Sequence, residues 1–229
     1  MMTQVGLTSR KLSPFRVDLG CGSCKREGTI GVDITRQPGV DYVLNLTVDS
    51  IPLPDSSVNY VYSSHFLQNI QDDDWTRHLF PEISRICISG AQLEIWTPYN
   101  WSNSASLIGH RQYINEDHYL HLCVAHYSFW EATLKARWLL REICYVIPTD
   151  VLVDLHRHGV SLDFALRYFK GIVQEIGVFI EVQHDYDGPP VEPKRTFAIT
   201  RDSEHYPVKP DRGPAEWSDV EAAIHAFRG

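Results

Sequence analysis

Two stretches hold residues whose types and spacing can do chemistry. In Val17-Asp18-Leu19-Gly20-Cys21-Gly22 an acid sits at the end of an apolar strand and two glycines follow in the turn. Glycine lets backbone approach a ligand closely, and an Asp there can hold turn amides or a cationic group. A dinucleotide G-x-G-x-x-G would need glycine where Lys25 stands, so NAD is disfavoured. The second stretch, 98–127, reads PYNWSNSASLIGHRQYINEDHYLHLCVAHY. It places His110, His118, His121 and His126 within seventeen residues, among Tyr99, Trp101, Tyr113 and Tyr119. Histidines in this number suit acid–base work or metal ligation, with His118-x-x-His121 as a candidate ligand pair. Cys21-x-x-Cys24 has no second C-x-x-C to complete a zinc site, and Cys21 belongs to the glycine turn, so packing is its expected role.

The elements that must position these residues follow from apolar runs of strand length at 15–20, 29–34, 41–46, 58–63 and 92–97. Several are continuous rather than alternating, as in strands covered on both faces, which points to a parallel sheet. Between the fourth and fifth, Trp75, Leu79, Ile83 and Ile86 recur at helical spacing, and Pro81 predicts a break into two short helices. The segment 98–127 reads as a long functional loop. Ser128 and Glu131 form a capping-box pattern ahead of a helix through FWEATLKARWLL, with a strand after it from Arg141 to Ile147. Leu162, Ala165, Phe169, Ile172 and Ile176 predict one amphipathic helix ending at Gly177. VFIEVQH and RTFAITR read as an antiparallel pair. The expected organisation is one domain over 1–201, with acceptor-covering insertions at 98–176, and a tail or appended helix at 202–229.

Composition narrows the partners. The chain has 229 residues, 43% hydrophobic and 22% charged, enough for one full-sized core. A net charge of -8 with no basic run argues against a nucleic-acid surface and moves small molecules forward. No apolar run reaches the roughly 18 residues of a membrane span, and the start lacks a signal-peptide core. A cytoplasmic location without membrane contact is therefore expected, and the five cysteines are expected as reduced thiols.

D-L-G-C-G at 18–22 followed by a strand ending in Val32-Asp33-Ile34 resembles the first two motifs of class I S-adenosylmethionine (SAM) dependent methyltransferases. The resemblance continues through Leu53-Pro54-Asp55-Ser56-Ser57-Val58, Ser63-Ser64-His65-Phe66-Leu67-Gln68-Asn69-Ile70 and Glu82-Ile83-Ser84-Arg85, over roughly the first hundred residues. It implies an α/β, Rossmann-like fold: a doubly wound, mostly parallel sheet with antiparallel end strands, a shortened first helix and a helical cover over the acceptor. The shortening is visible directly, since nine residues, Ser23 to Gly31, separate Gly22 from Val32. The smallest crossovers need about 10–12, so one helical turn at most is expected there, leaving Lys25 and Arg26 to shield that side or another segment to close over it. Gln68-Asn69 and Cys87-Ile88-Ser89-Gly90 stand where the family often has Glu-His and Lys-Pro-Gly-Gly.

The cofactor implied by the resemblance is SAM. Asp18, Gly20, Cys21 and Gly22 would line its amino-acid end, and Asp33 with Ile34 would meet the ribose. Asn45 and Leu46 would lie at the adenine, and Ser63 and Ser64 beside the methionine moiety. Methyl transfer to a hydroxyl needs an aligned acceptor and a base, for which His65 and His110 are the leading candidates. Tyr99, Trp101, Tyr113, His118, His121 and His126 would line the acceptor pocket, and acceptor binding ranks ahead of a metal for this group. The resemblance thus implies methylation, most often at oxygen, of a small molecule such as a natural product of secondary metabolism or a glycan intermediate. Two rivals remain: a SAM-fold enzyme catalysing a cyclisation or rearrangement, and a non-catalytic partner subunit. A homodimer is also open.

Overall fold

The structure, a computed structural model, describes residues 14–211. Among the described residues nine strands form one sheet: β1 (Phe15–Leu19), β2 (Ile30–Asp33), β3 (Tyr42–Val43), β4 (Val58–Ser64), β5 (Cys87–Pro98), β6 (Arg137–Val146), β7 (Glu175–Gln183), β8 (Lys194–Ala198) and β9 (Tyr206–Pro207). Their order is β3-β2-β1-β4-β5-β7-β6-β8-β9. The first five are parallel, and β7 runs antiparallel between β5 and β6. The order reverses at β1, which is the topology of a doubly wound sheet.

Alternate side chains leave opposite faces of a strand. One face carries Val17, Leu19, Val61, Leu93, Ile95, Ile143, Val178 and Ile180, all fully buried in the main core. It is covered by a helical run that starts at the exposed turn α1 (Asp72–Asp74) and packs through a π turn (Trp75–Leu79) and α2 (Phe80–Ile86), whose Trp75, Leu79, Phe80, Ile83 and Ile86 join this core. Packed alongside are α3 (Glu116–Leu120), a second π turn (His121–Ala125) and α4 (Tyr127–Leu134). The β1–β2 and β2–β3 links contain turns and no helix, which agrees with the expected shortening. Right-handed crossovers place these links over the opposite face. There the covering is done by side chains. Arg26 lies 4.4 Å over the Tyr62 ring and 3.5 Å from Glu94, and Arg16 lies 4.4 Å over Tyr60.

Several local expectations are corrected. Pro81 does not divide the helix: 72–86 is one helical run, and the π turn just before Pro81 widens the ladder where its ring would meet the carbonyl four residues back. The capping box forms at Asn115 and His118, not at Ser128 and Glu131. α4 stops at left-handed Lys135 (φ 59°), so Trp138-Leu139-Leu140 belongs to β6. A strand buried on both faces has the same continuous apolar pattern as a buried helix. The helix expected to run to Gly177 ends at Tyr168 (α6, Leu162–Tyr168), preceded by α5 (Thr149–Arg157), and Ile176 lies in β7. VFIEVQH and RTFAITR are not partners. β7 pairs with β5 and β6, whereas β8 adds parallel to β6, because the linker with Pro189, Pro190 and Pro193 carries the chain past β6 instead of turning it back. β9 pairs with β8, so the sheet extends beyond the boundary expected at 201. The tail helix expected within 212–229 lies outside the described residues.

Candidate functional site

The carboxyl ends of β1, β2, β4 and β5 meet beside the reversal at β1, where ligands of open α/β sheets bind. Gly20 and Gly22 both have left-handed backbones (φ 66° and 53°). A Cβ on Gly20 would overlap the Phe66 ring at 2.4 Å, whereas one on Gly22 would meet nothing within 4 Å. Gly20 is thus needed by the fold, and Gly22 leaves open space at the turn. The Gly22 N–H donates to Asp33 Oδ2 at 2.9 Å and the Thr35 N–H to Oδ1 at 2.9 Å. The carboxylate at the end of β2 therefore pins the glycine turn, and each oxygen keeps a lone pair for a further donor. Ile34, just beyond it, is exposed.

Other residues expected at the cofactor are placed differently. Asp18 is buried, and its Oδ2 accepts the Arg26 N–H at 2.7 Å, so it fastens the shortened link. Burial, only partly offset by that hydrogen bond, pushes its carboxyl up to about 6. Cys21 is buried with its sulfur against Gly31, which supports its packing role. Ser63 is buried and its hydroxyl donates to the Leu19 carbonyl at 3.2 Å, tying β4 to β1. Leu46 is in the main core, which leaves only its backbone for an adenine. Asn45 Oδ1 accepts from the Thr47 hydroxyl at 2.8 Å and shapes its own turn. Lys25 pairs with Asp41 at 2.9 Å.

His65 directly follows β4 in the left-handed region (φ 53°). Such a conformation costs about 1–3 kcal/mol and marks places where the surroundings over-determine the backbone. Here the His65 N–H donates to the Trp96 carbonyl at 2.9 Å, and the Asn69 side chain donates to the His65 carbonyl at 2.9 Å. Its ring Nε2 is 2.7 Å from Glu175 Oε1. A carboxylate accepts, so Nε2 is the donor here, and in the neutral ring Nδ1 is the nitrogen that can take a proton. Arg201 grips the same carboxylate through Nε and a terminal nitrogen, and its other terminal nitrogen donates to the Ser64 hydroxyl. Burial would raise Glu175, but the hydrogen bonds from Arg201 and His65 outweigh it and hold the carboxyl down at about 2. Glu175 and Arg201 are functional candidates that the sequence does not mark. They lie 110 and 136 positions beyond His65, on the first residue of β7 and in the loop after β8, and no local pattern marks them.

The expected acceptor residues separate. His118 and His121 help line a pocket of about 550 Å³ with Asp72, Asp117, Trp75 and Trp130, on the flank of the helical layer. No residue of the glycine turn, nor Asp33 or His65, lines it. His126 stacks on His121 at 4.4 Å. His118 Nδ1 is engaged with Asn115 Oδ1 at 2.8 Å as part of the α3 cap. Tyr99 is buried, T-shaped against Tyr145, and burial followed by the Glu116 carboxylate raises its hydroxyl pKa. Trp101 and Tyr113 are exposed. His110 donates from Nδ1 to the Ala105 carbonyl at 3.2 Å, which also leaves its second nitrogen basic, without a carboxylate behind it.

No family model matches the chain, and no curated protein does. Solved structures similar to it include SAM-dependent methyltransferases. One from Archaeoglobus fulgidus is 16% identical over 75% of this chain and 87% of its own, with a TM-score of 0.49. One from Mesorhizobium loti is 16% identical over 74% and 91%, with a TM-score of 0.43. A geranyl diphosphate C-methyltransferase from Streptomyces coelicolor A3(2), in complex with Mg2+, geranyl diphosphate and S-adenosyl-L-homocysteine, is 17% identical over 73% and 72%, with a TM-score of 0.41. These are likenesses of outline. Among the described residues no helix is long and apolar enough to cross a membrane.

Proposed function

We propose that the chain is a SAM-dependent methyltransferase acting on a small molecule, with the cofactor across the carboxyl ends of β1, β2 and β4. The observation that carries this reading is the Asp33 carboxylate. It holds the open glycine turn through the Gly22 N–H and retains lone pairs for vicinal ribose hydroxyls. Gly22 leaves room for the amino-acid end of SAM, Ile34, exposed just beyond Asp33, offers an apolar surface beside the ribose, and Ser64 would sit beside the methionine moiety. Asp18 acts through the turn it fastens.

SAM supplies an electrophilic methyl group. The protein's part is to orient an acceptor in line with it and, for a hydroxyl, to take the proton. His65 suits that task at Nδ1, because Glu175 and Arg201 fix the ring and its tautomer from the other side. This arrangement supports O-methylation with His65 as the base and Glu175 and Arg201 as positioning residues, and it favours His65 over His110. The exposed aromatic residues Trp101 and Tyr113 of the 98–127 segment would suit a natural-product scaffold or a sugar.

Isothermal titration with SAM tests the reading. The intact chain should bind, and Asp33→Ala should weaken binding about fivefold or more, since two hydrogen bonds of about 0.5–1.5 kcal/mol each are lost. Absence of SAM binding by the intact chain overturns it.

A further inference from the structure

The face of the sheet opposite the helical layer gathers a second reactive set, away from the glycine turn. Glu142 and Cys144 are two apart on β6 and so leave the same face. The loop between β8 and β9 lays His205 against them. One ligand atom from each of Glu142, Cys144 and His205 lies within 4.8 Å of the other two, and among the described residues this is the one group of three or more metal-ligating side chains so arranged. His205 Nδ1 is 2.6 Å from Glu142 Oε1, and the Thr196 hydroxyl donates to the same oxygen at 2.7 Å. The His205 ring packs against Phe179 with centroids 5.5 Å apart.

Charge on this face is otherwise balanced by arginine. Arg26 meets Glu94, and Arg141 meets Glu181. Glu142 has no lysine or arginine partner among the described residues; its one ion-pair partner there is His205, which is charged only when protonated. Carboxylate oxygen, imidazole nitrogen and thiolate sulfur are together the donors of tetrahedral zinc sites, at about 2.0–2.3 Å from the metal. Bonds of that length set neighbouring ligands about 3.3–3.6 Å apart. His205 Nδ1 and Glu142 Oε1 would therefore separate by about 1 Å or less, a small rotation for a ring carried on a loop. Thr196 already supplies the outer hydrogen bond that orients a ligating carboxylate.

We propose that Glu142, Cys144 and His205 form a site for a zinc-class divalent cation, with three protein ligands and one open position. On binding, the Cys144 thiol proton leaves to solvent, and the His205 proton resides on Nε2 so that Nδ1 can ligate. The metal clips the β8–β9 loop to β6. That loop also carries Arg201, so the clip steadies the group that holds Glu175 and Ser64 at the methyl-transfer edge.

The test uses the intact chain, stripped with chelator, reloaded with Zn2+ or Co2+ and freed of excess metal. One equivalent per chain is expected, with Co2+ giving a thiolate-to-metal charge-transfer band and the strong visible bands of tetrahedral cobalt. Cys144→Ser should erase the charge-transfer band. His205→Asn, a change confined to a loop, should weaken Zn2+ binding by about 100-fold, the upper end of what even an outer-shell loss costs. Failure of the intact chain to retain metal, or undiminished binding by both variants, overturns the site. Metal stoichiometry is read without SAM, so this result and the cofactor titration stand or fall separately.

Discussion

The two faces of the sheet are held by different physics. Under the helices, Leu93, Ile143, Val178 and Ile180 meet in a dry layer where burial of apolar area supplies the stabilisation. On the opposite face the connecting links are too short for helices; instead, Arg26 from the β1–β2 link lies over Tyr62 and pairs with Glu94, and Arg16 of β1 lies over Tyr60. The difference shows that a sheet can lose half of its helical cover if its strands on that side carry aromatic rings with polar tips. Tyr60 donates its hydroxyl to Glu94, and the Trp96 indole donates to the same carboxylate at 2.8 Å. The candidate chemistry sits on the edge between the two faces, where Glu175, on the polar side, reaches His65.

The contrast can be broken most sharply on the dry face. Ile180→Ala removes a fully buried side chain at the centre of the sheet and should cost about 2–5 kcal/mol in urea unfolding; a loss below about 1 kcal/mol would show that this face is not the dominant core. An intermediate effect belongs to Glu175→Gln. The Glu175 carboxyl lies at about 2 in the folded chain against an ordinary 4.5. Its contribution is therefore fully present above about 4.5 and is lost as pH falls through about 2. Near neutral pH the variant should be less stable by about 2–3 kcal/mol, with a flattened acid limb in thermal melts. A parallel acid limb in variant and parent would remove the His65–Glu175–Arg201 linkage from the account. The smallest effect is expected on the open face. Arg26→Ala gives up one cation–π contact and one part-exposed ion pair and should cost about 1 kcal/mol. A loss as large as that of Ile180→Ala would mean that the arginine cover carries a core of its own.

How far the sequence reached can be seen residue by residue. The glycine turn, Asp33 at the end of the second strand and the shortened link were legible because backbone conformation, strand periodicity and loop length are local properties. Pro81 and the Trp138-Leu139-Leu140 run misled for a related reason. A π turn and a doubly buried strand are settled by what packs against them, and the local pattern fits a broken helix or a continued one equally well. The clustered histidines looked like a single unit, yet His118 is committed to a helix cap and His110 to a carbonyl, because backbone groups nearby compete for imidazole nitrogens.

Sequence alone therefore determined the strand segments of the parallel half-sheet, the glycine turn and the shortness of the first link, since each depends on residues within a few positions of one another. Tertiary structure decided the rest. It placed β7 between β5 and β6, brought Glu175 and Arg201 to His65, and set Glu142, Cys144 and His205 together. These contacts join residues dozens of positions apart, and their energy comes from groups that meet only after the sheet has closed around them.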